Sequence, residues 1–194
     1  MNNKFEIKSN SYYASIGKIL ISEPLIQDKY FRRSVILLIE HSKKEGSVGV
    51  ILNKPLSVSF NQVIKEGPDF DSKLFLGGPV QTDNIYFIHS LGDKISKSMR
   101  ILNNLYWGGD IEQVNELINL KVLNKNNIRF FVGYAGWEPK QLDKELKLNN
   151  WAISNSGIKD IWNIHPKLMW HSMVSKLGED YDFWKHMPED PMMN

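Results

Sequence analysis

Ser34-Val-Ile-Leu-Leu-Ile-Glu40 and Val48-Gly-Val-Ile-Leu-Asn53, joined through the polar turn Lys43-Lys-Glu-Gly46, decide the fold of this 194-residue chain. The first run is β-branched and leucine residues without a polar break. A strand of that composition has no wet face, so it belongs in a sheet covered on both sides. The second run has the same character, and the hairpin-length connection predicts antiparallel neighbours in the interior. Working outward, Gly17-Lys-Ile-Leu-Ile-Ser22 is a shorter strand stopped by Glu23-Pro24. Lys73-Leu-Phe-Leu76, Asn84-Ile-Tyr-Phe-Ile-His89, Ile128-Arg-Phe-Phe-Val132 and Trp151-Ala-Ile153 read as further strands.

Helical patterning is confined to smaller pieces. Ser59–Lys65 is a short helix ended by Gly67-Pro68. Asp110-Ile-Glu-Gln113 has the form of a capping box and opens a helix with Ile111, Val114, Leu117 and Ile118 on its apolar face. Pro139 stands where a first helical turn tolerates it, ahead of Gln141–Lys147. Pro166 opens the last helix, with Met169, Met173 and Leu177 on one face and Gly178 as its stop. Several strands precede the first long helix, and neither a βαβ rhythm nor an internal repeat is present. The expectation is a single α+β domain: a mixed, mostly antiparallel sheet with flanking helices. Residues 1–13 are polar and read as a flexible tail, 14–178 as the domain, and 179–194 as an irregular acidic tail.

Composition narrows the chemistry. At 42% hydrophobic and 24% charged residues, the chain can build a core and is not intrinsically disordered. The first 97 residues carry 13 basic and 10 acidic side chains, the remainder 11 and 12. Neither half has the basic excess of a nucleic-acid-binding domain. There is no cysteine, which removes disulfides, thiolate nucleophiles, Cys-ligated zinc and iron–sulfur clusters. The N-terminus lacks a signal-peptide apolar region, and the densest apolar run, Val35–Ile39, is far short of the roughly 20 residues that span a bilayer. A cytoplasmic protein with no membrane contact is expected.

The well-marked catalytic motifs are absent: no Gly-x-Gly-x-x-Gly, no phosphate loop, no His-Glu-x-x-His and no Gly-x-Ser-x-Gly. No metal or cofactor is implied. His41 and His89 each end an apolar strand. Each is read most simply as a hydrogen-bonded strand-end histidine; the alternative is a hydrolase-like site with Ser34 and a carboxylate. Arg33 is expected to reach inward to Asp28 or Glu40, since an unpaired buried guanidinium is costly; an anion contact is the other reading. Gly77-Gly78-Pro79 and Gly133-Tyr134-Ala-Gly136 follow strands. Such turns either present free backbone N–H groups to a ligand or let strands cross closely.

At these residues the chain resembles the YqgE/AlgH family. The resemblance rests on Gly17-Lys-Ile-Leu-Ile-Ser-Glu-Pro24, then Asp28-x-x-Phe31-x-Arg33-Ser34-Val35 running to Glu40-His41. It continues through Val48 to Pro55, Gly77 to Val80, and Gly133-Tyr-Ala-Gly-Trp137 with Gln141-Leu142, Glu145 and Trp151. The blocks keep family order from about residue 15 to 178; the ending Met187–Asn194 departs from the family pattern. The resemblance implies a bent or partly barrel-like sheet and brings no established activity. Its members are largely uncharacterised bacterial proteins, some labelled transcriptional regulators. The sequence offers no helix-turn-helix and no basic recognition helix, which argues against direct operator reading.

The function expected from these readings is a non-enzymatic regulatory module that binds a protein or small-molecule ligand. Its groove would be formed by Asn53, Pro55, Gly77, Gly78, Pro79, Gly133, Tyr134, Gly136 and Trp137, with Arg33 and His41 as polar contributors. The alternatives are a hydrolase-like enzyme and a direct DNA-binding regulator. A histidine within hydrogen-bond reach of a serine in a cleft would favour the enzyme.

Overall fold

The computed structural model describes residues 13–65, 67–155 and 158–188, so the expected tail over residues 1–12 and the last six residues lie outside the described residues. In chain order the strands are β1 (Ile19–Ser22), β2 (Val35–Ser42), β3 (Gly46–Ile51), β4 (Pro55–Ser59), β5 (Lys73–Leu76), β6 (Val80–His89), β7 (Met99–Leu102), β8 (Leu105–Trp107), β9 (Ile128–Trp137) and β10 (Trp151–Ser154). The helices are α1 (Phe60–Val63), α2 (Ile111–Asn119), α3 (Gln141–Lys147), α4 (Ile158–Asn163), α5 (Pro166–Ser175) and α6 (Asp182–Lys185).

The strands form one mixed, mostly antiparallel sheet in the order β10-β1-β2-β3-β9-β6-β8-β7, with β4 and β5 branching from β9. β5–β9 is parallel. The path is open and does not close into a barrel. β2 and β3 are antiparallel neighbours as expected, with Leu37 opposite Val50. Side chains alternate across β2. Val35, Leu37 and Ile39 pack with Trp170, Met173 and Trp184 of α5 and α6, while Ile36 and Leu38 pack with Trp137, Leu142 and Trp151 on the other face. Both faces are covered, which is why the run has no polar interruption. Burial of each such side chain contributes about 1.5–3 kcal/mol. A further cluster, built on Phe60, Phe70, Leu74, Phe130 and Val114, lies under α2.

Three expectations need correction. β9 does not stop at Val132; it continues to Trp137, with Gly133 in the left-handed region at φ +67°. A glycine there absorbs the irregularity that any side chain would resist. The segment after Gly178 is not an irregular tail through its first part. It forms a 3-10 turn and α6, because Tyr181 and Trp184 are drawn under the sheet at 7% and 2% exposure. The capping box is half made: Asp110 Oδ1 accepts from the Glu112 N–H, but Gln113 Oε1 accepts from Ser96 and so ties the helix to a neighbouring loop.

Candidate functional site

A cleft of about 480 Å³ opens where the far end of the β2–β3 hairpin meets the end of β9. A register shift between Leu38 and Glu40 sets His41 opposite Ser47, and β3 in turn sets Val48 opposite Gly136. His41 Nδ1 lies 2.8 Å from Ser47 Oγ. Val80 and Tyr134, themselves paired across β6 and β9, form the opposite wall with Gly136 between the walls. The carboxylates Glu40, Glu45 and Glu138 line the opening, and among the described residues no lysine or arginine does.

The wall at Trp137 is held from behind. Glu145 Oε2 accepts from the indole N–H of Trp137 at 2.9 Å and from that of Trp151 at 2.7 Å, while its Oε1 accepts from Gln141 at 2.8 Å. One carboxylate thus fixes two tryptophans against each other, their rings edge-on at 5.8 Å. The indole N–H groups, which need partners when buried, are satisfied without water.

Of the residues read from the sequence as a groove, His41, Tyr134, Gly136 and Trp137 come together in this cleft. The others lie elsewhere. Gly77 and Gly78 press against β9: a Cβ on Gly77 would sit 2.1 Å from the Gly133 carbonyl oxygen, and one on Gly78 2.2 Å from that of Tyr134. The Gly77 N–H donates to Val132 and its carbonyl accepts from Ile51, so Gly77 offers no free donor, and both glycines lie where the strand crossing leaves no room for a side chain. Gly133 would bring a Cβ to 2.6 Å from the Gly78 carbonyl oxygen. Gly136 differs: its Cβ would meet only Tyr134 and Val80, at 3.5 and 3.6 Å, which is ordinary contact.

Asn53 is a local brace, its Oδ1 accepting from Val35 N–H and its amide donating to the Arg33 carbonyl, both at 2.9 Å. Pro55 borders a different cleft, and Pro79 is exposed in the turn before β6. Arg33 does not pair with Asp28 or Glu40. Its backbone is left-handed at φ +47°, and the side chain lies on α5, 4.8 Å from the Trp170 ring. There Nη1 is 3.3 Å from His171 Nε2 and Nη2 donates to the Met187 carbonyl at 2.5 Å.

The serine beside His41 is Ser47, not Ser34. Ser34 is fully buried, and its hydroxyl has no hydrogen-bond partner among the described residues. Ser47 is directly cross-strand from His41 and only 6% exposed. His89 is a core residue. Its Nε2 is within 2.9 Å of Ser98 Oγ and 3.1 Å of the Gly108 carbonyl, while its Nδ1 accepts from the Leu91 N–H at 3.3 Å. A carbonyl accepts only, so Nε2 carries the proton and the ring is neutral. Burial holds its pKa below the usual histidine range. Among the described residues, no group of three or more His, Asp or Glu side chains is placed to share a metal ion. No helix among them is long and apolar enough to cross a membrane.

This geometry is that of an α+β protein on an open, glycine-crossed sheet, with its conspicuous cleft at the end of a central hairpin. The chain belongs to the AlgH-like family, DUF179, whose model matches residues 19–182. A UPF0301 protein of Bacteroides fragilis is 42% identical over 191 residues, covering 98% of this chain and 96% of that one. One from Chlorobaculum parvum is 37% identical over the whole of both chains. Among solved structures, a Corynebacterium diphtheriae protein matches with TM-score 0.74 at 24% identity, over 90% of this chain and 93% of that one. The solution structure of AlgH from Pseudomonas aeruginosa matches at 0.69 and 23%, over 91% and 97%. At those identities the likeness to the solved structures is one of fold.

Proposed function

We propose that this chain is a non-enzymatic binding module acting in regulation through a protein contact, and that its site is the cleft between the β2–β3 hairpin end and Gly136. The observation that carries the reading is Gly136 itself. Unlike Gly77, Gly78 and Gly133, it has room for a side chain and a backbone conformation that accepts one. Its bareness leaves open a cleft of about 480 Å³, within the ordinary range for ligand sites. The charge at the mouth selects the occupant. With Glu40, Glu45 and Glu138 present and no basic side chain among the described residues that line it, the cleft suits a short, positively charged segment of a partner protein. Direct operator binding has no support from the near-neutral charge balance.

Affinity capture from native cell extract, compared between wild type and Gly136→Leu, tests this. Capture is lost while the melting temperature is not lowered if the cleft is the site. Capture retained, or lost together with the fold, overturns the reading. A second reading, a hydrolase-like site, rests on the His41–Ser47 pair, the histidine–serine contact in a cleft that favours an enzyme. It ranks second because Ser47 is only 6% exposed and no carboxylate is bonded to His41 among the described residues. Ser47→Ala abolishing hydrolysis of an activated ester that the wild type cleaves would establish it.

A further inference from the structure

A second cleft, of about 700 Å³, lies between the start of β5, the start of β9 and the α4–α5 connection, and shares no lining residue with the first. Its lining includes Arg129, a single cation in the otherwise apolar first half of β9. Arg129 is 7% exposed. Its guanidinium lies 4.6 Å from the Phe75 ring and 5.7 Å from that of Trp162, and it donates to the carbonyls of Leu52 at 3.1 Å and Ile161 at 2.8 Å. Among the described residues no carboxylate comes within ion-pairing distance of it. A buried cation held only by carbonyl dipoles and ring faces is an uncompensated charge. Burial pushes its pKa down to about 10, so it remains cationic at neutral pH.

Two further features point the same way. Trp162, in the same wall, has a buried indole N–H with no hydrogen-bond partner among the described residues. At the rim, Lys73, Lys125 and Lys167 stand with one acidic residue, Asp71, among the described residues. Lys167 is in the first turn of the ten-residue α5, whose N-terminal end adds its own positive potential.

We propose that this cleft is an anion site for a small organic molecule carrying phosphate, with the phosphate toward Arg129 and the lysines closing over it. A guanidinium carries five N–H donors, of which the Leu52 and Ile161 carbonyls take two; the remaining donors suit phosphate oxygens, and the two rings against the group hold it in place. Four cations against one acid suit a multiply charged group, and the volume exceeds what a lone phosphate fills.

The test is titration calorimetry of the full chain with pyrophosphate as probe, citrate as comparison, and two variants. Lys73→Ala/Lys167→Ala changes only exposed side chains and keeps the fold; Arg129→Lys keeps the charge and removes the fork. Pyrophosphate binding that falls at least tenfold in each variant, with citrate at least tenfold weaker than pyrophosphate in the wild type, is the expected result. Absence of pyrophosphate binding to wild type overturns the proposal, as does binding undiminished in either variant. Citrate binding as tightly as pyrophosphate overturns the assignment to phosphate.

Discussion

Replacing Gly133 and Gly136 each by alanine is expected to move stability in opposite directions. At Gly133 the backbone is left-handed, which costs an L-residue about 1–2 kcal/mol. The added Cβ would also overlap two backbone carbonyl oxygens, at 2.6 and 2.7 Å, and overpacking of that kind costs about 1–3 kcal/mol. The sum is roughly 2–5 kcal/mol, or a melting temperature lower by roughly 4–20 °C in a domain of this size. At Gly136 the new methyl meets neighbours only at 3.5 and 3.6 Å. The dominant effect there is the lost freedom of the unfolded chain, a gain of about 0.4–1 kcal/mol and a rise of about 1–4 °C. Urea and thermal unfolding followed by tryptophan fluorescence would measure both. A Gly136→Ala protein as destabilised as Gly133→Ala would refute the distinction between a glycine required by packing and one that keeps a cleft open.

Glu145→Ala removes the acceptor of two nearly buried indoles and is expected to cost about 2–5 kcal/mol, whereas Glu145→Gln, which retains an acceptor oxygen, loses less; urea midpoints separate them. His89 makes the fold sensitive to acid. Its folded pKa lies below the ordinary 6.5, so below that pH the unfolded chain binds a proton the folded chain refuses, and stability falls as pH is lowered. Comparing the urea midpoints of wild type and His89→Gln at pH 7.5 and 5.5 should show the smaller acid loss in the variant. Trp184→Ala should cost about 3–5 kcal/mol if the segment after Gly178 is part of the core; a change under about 1 kcal/mol would make that segment an appendage.

The parts of the fold legible in the sequence are those where composition and periodicity act locally. Val35–Ile39 and Val48–Leu52 announced themselves because a strand covered on both faces has to be apolar throughout. The β7–β8 hairpin did not, because three or four residues a side are too few to display alternation. Tyr181 and Trp184 were hidden by acidic neighbours that stay in solvent while the rings go inward. For the site, the glycine-rich end of β9 was visible, but sequence alone does not distinguish Gly136, with room for a side chain, from Gly133, which has none. Ser47 was missed because the bulge after Leu38 sets which residue faces His41. His171 and Met187, which Arg33 reaches, lie 138 and 154 residues away, beyond any local pattern. Arg129 left the clearest overlooked signal, a lone cation in an apolar strand, and only the fold shows that it lacks a counter-charge.

The position of β9 in the chain bears on how the protein is made. It is flanked by β3 and β5 and by β6, yet it begins at residue 128, after all three have been synthesised. While the ribosome is still short of Trp137, those strands have edges whose permanent neighbour does not exist, and open edges recruit whatever strand is nearest. A nascent chain halted before Ile128 is therefore not a smaller domain but a set of hairpins missing their spine, and it is the form that most needs a chaperone. Long-range pairing of this kind also folds slowly. The same arrangement protects the finished molecule, since β9 cannot be peeled away without opening the sheet on both its sides at once.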